Sequence, residues 1–266
     1  MPIIADEIRR LAEEPETIFG DPAAPARVIR TPSYVLGLSP TPTQAAVSAV
    51  RTSADALDGV IAEVRGHLRA AGYTRCVWAV SRSSRPEGLA AALAARGFSP
   101  AHEAPYEPEM TAMIVEAPPP PAPPGIEARR VRDYDEYLAS MRIAVTMMGA
   151  SEADGGGWLA AAPALWADGS GIAQCTHVAF LDGKMVGFGW AVPTPAGLML
   201  AGSSVLPGAR GRGAYRALVA ARWATAVSLG TPALAIQAGA MSRPVLERCG
   251  FQEVCRISVL QDPEVR

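Results

Sequence analysis

Apolar and polar positions in the second half of the chain follow a strand-like period in some stretches and a helical period in others. β-Branched and aromatic runs indicate strands, whereas stretches rich in Ala and Leu indicate helices. The predicted elements are a strand at 125–131, a helix at 133–148, a hairpin at 175–193, a strand at 198–207, a helix at 215–230, a strand at 232–238, a short helix at 242–251 and a last strand at 252–260. This order predicts a mixed α/β unit that includes a β-meander.

Local signals set the boundaries of these elements. Asp182-Gly183 separates two strand-like runs and predicts a tight hairpin turn. Asp133 and Glu136 resemble a capping box at the start of one helix, and Gly230 is placed to end another. Residues 148–158 include three consecutive glycines, which predict a flexible loop.

The first half of the chain repeats part of this order. Residues 73–98 run strand, Ser-Arg-Pro, helix and Gly-Phe, as residues 232–251 do, and a helix predicted at 54–72 precedes them. The repeat predicts that the first half is a degenerate copy of the second, with coincidental similarity of two α/β units as the alternative. Apolar residues at helical spacing in 3–14 predict an amphipathic helix that packs on this half.

A proline-rich stretch, "APPPPAPPG" at 117–125, divides the two halves. Proline fixes φ and offers no amide donor, so this stretch is neither helix nor sheet and forms a stiff tether. We therefore expect a first domain at 1–117, a linker at 118–124 and a second domain at 125–266.

Composition and charge narrow the classes of function. The 266 residues are 49% hydrophobic and 19% charged, as in a globular protein. No apolar run approaches the roughly 20 residues of a membrane span, and the first residues lack a secretion signal. The formal net charge of −2 argues against a nucleic-acid binder. We expect a cytoplasmic protein with neither a membrane nor a nucleic-acid partner.

The cysteines are scattered, with no C-x-x-C pair and no cluster with histidine, so neither a metal site nor a disulfide framework is predicted. They are Cys76, Cys175, Cys249 and Cys255.

The stretch with the clearest chemistry is "VLPGARGRGAYRAL" at 205–218, a glycine-rich turn between a predicted strand and a predicted helix. Such a turn leaves the first amides of the helix unpaired, which suits a phosphate group. A P-loop requires Gly-Lys-Ser/Thr, but Gly213 is followed by Ala214 and Tyr215. The dinucleotide fingerprint requires a third glycine where this chain has Arg216.

The turn resembles the acyl-CoA loop of the GCN5-related N-acetyltransferase (GNAT) family, Q/R-x-x-G-x-G/A after a strand-end valine and proline. Arg210 and Gly213 are in register, whereas Tyr215 replaces the usual Gly or Ala. Downstream, "SRPVLERCGF" at 242–251 resembles the second motif of the family, a helix that closes on Gly-Phe. With the β-meander, the resemblance covers 125–266.

This resemblance implies an acyl-CoA N-acyltransferase-like fold, with a complete C-terminal domain and a degenerate N-terminal copy that lacks the glycine-rich cradle at 48–57. It also implies acetyl-CoA as the acyl donor, a small-molecule amine as the acceptor and direct attack of the amine on the thioester. The pantetheine and the thioester carbonyl would meet amides of Ser204, Val205 and Leu206, and the pyrophosphate would meet the amides from Gly211 to Arg216. The implied coenzyme-binding residues are Ser204, Val205, Leu206, Arg210, Gly211, Arg212, Gly213, Ala214, Tyr215 and Arg216.

The acid and base of the reaction are less well defined. Many family members place a tyrosine where this chain has Leu246, and a glutamate on the strand before the loop, which this chain lacks. The candidates that remain for acid or base chemistry are Ser242, Glu152, His177, Asp154 and Glu127.

Two functions therefore stay open: a tandem acetyltransferase whose N-terminal half shapes the acceptor cleft, and a non-catalytic acyl-CoA-binding or regulatory module. The acids of the 148–158 loop hint at a cationic amine. A monomer and a homodimer are equally compatible with the sequence.

Overall fold

The structure is a computed structural model that describes residues 3–18, 27–39, 44–102, 106–147, 152–167, 169 and 171–265, with the backbone alone described at 3–5, 152–154 and 171–172. The strands are β1 (Arg27–Arg30), β2 (Val35–Leu38), β3 (Ala45–Ser48), β4 (Cys76–Val80), β5 (Ser99–Pro100), β6 (Glu109–Val115), β7 (Ile126–Arg130), β8 (His177–Leu181), β9 (Lys184–Thr194), β10 (Gly197–Val205), β11 (Leu234–Ala238) and β12 (Gln252–Gln261). The helices are α1 (Ile3–Glu13), α2 (Leu57–Ala71), α3 (Leu89–Ala94), α4 (Tyr134–Met147), α5 (Glu152–Ala167), α6 (Gly171–Gln174), α7 (Ala214–Ser228) and α8 (Arg243–Arg248).

The strands form one continuous mixed sheet in the order β1-β2-β3-β4-β12-β6-β11-β10-β9-β8-β7, with β5 paired to β12. In the middle of the sheet, Ala112 and Ala235 pack with α1 on one face. Met113 and Ile236, on the other face, pack with α7 and α8. The predicted mixed α/β fold is confirmed.

The two halves repeat one arrangement. In the first half β3 and β4 are parallel and joined through α2, and in the second half β10 and β11 are parallel and joined through α7. A short helix follows each parallel pair, α3 in one half and α8 in the other. The predicted tandem arrangement, in which the N-terminal half copies the C-terminal half, is therefore present.

The final strands of the two halves are exchanged. β6 belongs to the first half in sequence but pairs antiparallel with β11 of the second half. β12 belongs to the second half but pairs antiparallel with β4 of the first. β6 and β12 also pair with each other, so the exchange joins the halves at the centre of one sheet. The linker at 118–124 connects β6 to β7 without helix or strand.

The hairpin turn is confirmed, since Asp182 and Gly183 both adopt positive φ, 52° and 74°, between paired Leu181 and Lys184. The flexible loop predicted at 148–158 is wrong from Glu152 onward, because α5 begins there. The glycines of α5 allow close helix packing: a Cβ on Gly155 would lie 2.5 Å from Val145 Cγ1 of α4. Residues 148–151 lie outside the described residues.

Helix α1 forms as predicted, but its packing extends beyond the first half. Its buried Ile8 and Leu11 join a cluster with residues of β11, β6 and β12, including Ala235 and Ile257. Gln237 of β11 donates from Nε2 to the carbonyl of Glu13, 3.1 Å away. The predicted packing on the first half is present, and the strand exchange adds residues of the second half to it.

A buried ion pair fixes the chain after β12 to helix α2 of the other half. Arg65 binds Asp262 through two guanidinium nitrogens, with Nη2 2.8 Å from Oδ1 and Nε 3.0 Å from Oδ2. Asp262 is 1% exposed, and the Arg65 guanidinium lies over the Phe98 ring. The Asp262 carboxylate holds the pKa of Arg65 above its usual value.

Candidate active site

Strands β10 and β11 separate at their carboxyl ends. They pair only from Leu198 to Leu200 on β10 and from Leu234 to Ile236 on β11. A bulge between Ala201 and Ser203 then bends β10, while the end of β11 pairs only with β6. The result is an opening between the two strands, here called the wedge, which lies next to the glycine-rich turn.

The resemblance assigns three amides of this strand end to the coenzyme, and the strand geometry determines which of them face the wedge and which face β9. The Leu206 N–H donates to the Val186 carbonyl, 2.8 Å away on the β9 side, and is not free. Successive amides of a strand point to opposite sides, so the Ser204 N–H also faces β9. The Val205 N–H therefore faces the wedge.

The glycine-rich turn ends in a set of unpaired amides. Gly211 and Gly213 adopt positive φ, 74° and 92°, and α7 begins at Ala214. Within the described part of the chain, the amides from Gly211 to Arg216 donate no hydrogen bond. The linker contributes to this turn, because a Cβ on Gly213 would collide with the ring of Pro123. The amides and the positive end of the 15-residue α7 favour an anion.

Three arginines surround these amides. Arg210 donates from Nε to the Val205 carbonyl, 3.1 Å away, which fixes its guanidinium at the end of β10. Arg212 lies 4.0 Å from the exposed Asp182, at the limit of an ion pair. Arg216 has a buried Nε without a partner. The group is electropositive and well placed to bind phosphate oxygens.

Tyr215, which departs from the family pattern, points its side chain into the core between α7 and the sheet. Burial raises the pKa of its hydroxyl. The backbone amide of Tyr215 faces the glycine-rich turn, whereas its side chain points away and does not block the unpaired amides.

Arg222 of α7 is a site residue that the sequence did not indicate. It is completely buried, and its Nη1 donates to Ser203 Oγ at the β10 bulge, 2.8 Å away. Nε donates to the Leu218 carbonyl, while Nη2 has no partner. No carboxylate of the described residues forms an ion pair with it, and burial lowers its pKa. The sequence feature that could have identified Arg222 is a charged residue within a helix that is rich in Ala and Leu.

We expect Arg222→Met to separate stability from ligand binding. Removing an uncompensated buried charge should leave the unfolding temperature at or above that of the wild type. Loss of the contact to Ser203 should loosen the bulge and raise the Kd for acetyl-CoA about tenfold. Thermal unfolding and calorimetry measure the two effects, and Arg69→Met on the exposed end of α2 is the control for charge. Unchanged acetyl-CoA binding in Arg222→Met would contradict this role.

His177 is buried between β8 and α7, and both ring nitrogens are occupied. Nδ1 lies 2.9 Å from the Cys175 carbonyl and must carry the proton, so Nε2 accepts from Thr225 Oγ1 at 2.8 Å. Burial, with a contribution from the Arg222 cation, lowers the pKa of His177 to about 3. A neutral histidine with no free nitrogen cannot serve as the base, which corrects that candidate.

The other sequence candidates lie in different environments. Ser242 precedes α8, and its Oγ donates to the Gly239 carbonyl at 3.2 Å, close to the end of β11. Glu127 is on the edge strand β7 and pairs with Arg129 at 2.8 Å. Glu152 and Asp154 are in the first turn of α5, and their side chains lie outside the described residues. Of the candidates whose side chains the structure describes, Ser242 lies nearest in sequence to the end of β11.

The corresponding region of the first half is filled by the chain itself. Glu14 binds Arg51 at 2.7 Å and accepts from Ser81 Oγ at 3.2 Å, at the carboxyl ends of β3 and β4. Glu16 accepts from Ser48 Oγ at 3.0 Å, and burial raises its pKa. A backbone bridge between residues 51 and 85 closes the space further.

The described residues contain neither a membrane-spanning helix nor a group of metal ligands. None of the described helices is both long and apolar enough to cross a membrane. Across the described ranges, no three His, Cys, Asp or Glu side chains are grouped so that they could hold a metal ion.

A model of the Acetyltransferase (GNAT) family matches residues 148–251, which include the wedge, the glycine-rich turn and α8. No curated protein matches the chain.

Several solved structures share the fold over most of the chain. A GCN5-related N-acetyltransferase from Sphaerobacter thermophilus has a TM-score of 0.64 at 16% identity, covering 86% of this chain and 76% of that one. One from Kribbella flavida has a TM-score of 0.64 at 18% identity, covering 90% of each chain. A tandem GNAT protein from the clavulanic acid biosynthesis pathway has a TM-score of 0.59 at 16% identity, covering 96% of this chain and 87% of that one.

The family match includes the wedge and the turn, and the structural similarity spans both halves. Residues 148–251 therefore belong to the GNAT acetyltransferase family, in a chain with the tandem GNAT fold.

Proposed function

We propose that this protein is an N-acetyltransferase that transfers the acetyl group of acetyl-CoA to the amine of a small-molecule acceptor. The observation that carries the proposal is the run of unpaired amides from Gly211 to Arg216 at the start of α7, beside the wedge. The family match to residues 148–251 supports the reaction type.

The residues of the second half suit acetyl-CoA as a ligand. The amides and the three arginines would hold its pyrophosphate by charge-assisted hydrogen bonds. The wedge would take the pantetheine arm, with the Val205 N–H as a donor to the thioester carbonyl. When bound, acetyl-CoA supplies an activated acyl group, and the protein contributes position and polarisation.

The acceptor would approach from the face covered by α4 and α5. There the Trp190 ring packs on Gly202 of the β10 bulge, with Cε3 2.9 Å from where a Cβ would lie. Trp158 of α5 stacks on Trp190 with 6.3 Å between ring centroids. This aromatic wall borders the wedge and suits a small molecule with an apolar body.

A non-catalytic acyl-CoA-binding module is the alternative. It is favoured by Leu246, which is fully buried where many family members have a tyrosine, and by the occupied nitrogens of His177. We favour the enzyme because direct transfer depends mainly on orientation of the two substrates.

We expect one acetyl-CoA per chain, because the first half holds its own carboxylates where the second half has the wedge. Calorimetry measures the stoichiometry, and two acetyl-CoA molecules per chain would contradict the expectation that the first half binds none.

A screen of amines with detection of free thiol tests the acetyltransferase activity. Tight acetyl-CoA binding without consumption of any amine would favour the non-catalytic module.

A further inference from the structure

One carboxylate at the end of β11 comes from the other half of the chain. Glu107 lies two residues before β6, and its Oε2 accepts the N–H of Ala240 at 2.7 Å. Its Oε1 lies so close to Gly239 that a Cβ on that glycine would collide with it. Gly239 and Ala240 lead from the end of β11 to α8, so Glu107 lies just beyond the end of β11, the strand that forms one side of the wedge.

Within the described residues, Glu107 differs from the neighbouring acids in having no cationic partner. Glu247 and Glu253 both pair with Arg243, at 2.8 and 3.3 Å. Among the described residues, Glu107 has no ion-pair partner, and its only hydrogen bond is the one from Ala240 to Oε2. Its side chain is partly buried, so a cation that reached it would be incompletely screened by water. Oε1 is left to accept a further hydrogen bond.

The strand exchange explains how this carboxylate reaches the site. β6 occupies the position next to β11, and Thr111 pairs with Ala238, the last residue of β11. The chain just before β6 is thereby carried past the end of β11. An acidic group from the first half thus lies at the end of a strand of the second half.

We propose that Glu107 binds the ammonium group of the acceptor and takes its proton before attack. This inference rests on the proposed acetyltransferase function and names its substrate class: primary amines that are cationic in solution. One ammonium proton passes to the Glu107 carboxylate and then to water. The amine nitrogen forms a bond to the acyl carbon, the C–S bond breaks with its electron pair on sulfur, and a second nitrogen proton passes to that sulfur, giving the amide and the CoA thiol.

Glu107→Gln tests the proposal, because glutamine retains an oxygen that can accept the Ala240 N–H but has no charge. Glu109→Gln is the matched control, since Glu109 is two residues away, exposed and paired with Arg256. Acetyl-CoA binding is measured first by calorimetry in all three proteins. Amine binding to the CoA-loaded proteins is then measured with 2-phenylethylamine, 1-aminohexane and 1,4-diaminobutane, each against the corresponding alcohol.

We expect unchanged acetyl-CoA binding in both variants. The wild type and Glu107→Gln should differ about tenfold in Kd for the amines but not for the alcohols, a difference that a purely structural role would not produce. Any amine that is turned over should lose about a hundredfold in kcat/KM in Glu107→Gln. Equal amine binding in the two proteins, or a wild type that does not distinguish amines from alcohols, would overturn the role of Glu107. Absence of acetyl-CoA binding would instead overturn the proposed function.

Discussion

Gly211→Asp is expected to weaken acetyl-CoA binding about a hundredfold, whereas Gly211→Asn should change it only a few fold. Gly211 has φ of 74°, a conformation that Asn and Asp tolerate better than other residues with a side chain. No atom lies within 4 Å of the Cβ position, so both side chains fit. The two variants differ in charge alone, and the aspartate would place a negative charge beside the amides that we assign to the pyrophosphate.

Calorimetry with acetyl-CoA measures both variants, and circular dichroism checks that each is folded. These two variants are more informative than a substitution at Gly213. Any Cβ there would collide with Pro123, so it would displace the linker as well as affect ligand binding. Equal affinities for the Asp and Asn variants would show that the pyrophosphate does not lie at the start of α7.

Asp262→Ala is expected to lower the free energy of unfolding by about 3–5 kcal/mol, because it leaves Arg65 without its buried partner. The pair is bidentate, and the side chain of Arg65 is only 13% exposed. Glu264→Ala is the control: Glu264 also binds Arg65, at 2.8 Å, but its side chain is 65% exposed. Its loss should cost less than about 1 kcal/mol.

Urea unfolding followed by fluorescence measures both variants. Similar losses in the two would indicate that burial of Asp262 does not strengthen the pair. Loss of the Asp262 contact should also release the segment after β12 from α2, so hydrogen exchange should increase in both elements.

The features that the sequence predicted correctly depend on neighbouring residues. Asp182-Gly183 defines its own turn, and the order of strands and helices follows from local periodicity. The glycines of the 205–218 stretch predicted the turn between β10 and α7, which is present, whereas the phosphate site that they indicate stays a prediction. The coenzyme-binding residues remain predictions, although the structure shows that the Leu206 amide is occupied by the Val186 carbonyl.

Packing between distant elements accounts for what sequence reasoning missed. Three glycines in a row indicate a loop, but in α5 Gly155 allows close approach to Val145. His177 is a reasonable base in isolation, and only its position under α7 shows both nitrogens to be occupied. Arg222 and Glu107 acquire their significance from contacts with Ser203 and Ala240, which no local pattern reveals.

The exchanged strands also set the order in which this protein can fold during synthesis. β4 finds its antiparallel neighbour only in β12, at Gln252–Gln261, far along the chain. Until those residues leave the ribosome, β4 keeps an unpaired edge. Strand β6 must also wait for a partner, because β11 follows it by more than 100 residues. Exposed edges invite pairing with other chains. The first half, although made first, therefore completes its sheet only after β12 has been made, and we expect the edge of β4 to stay exposed until then.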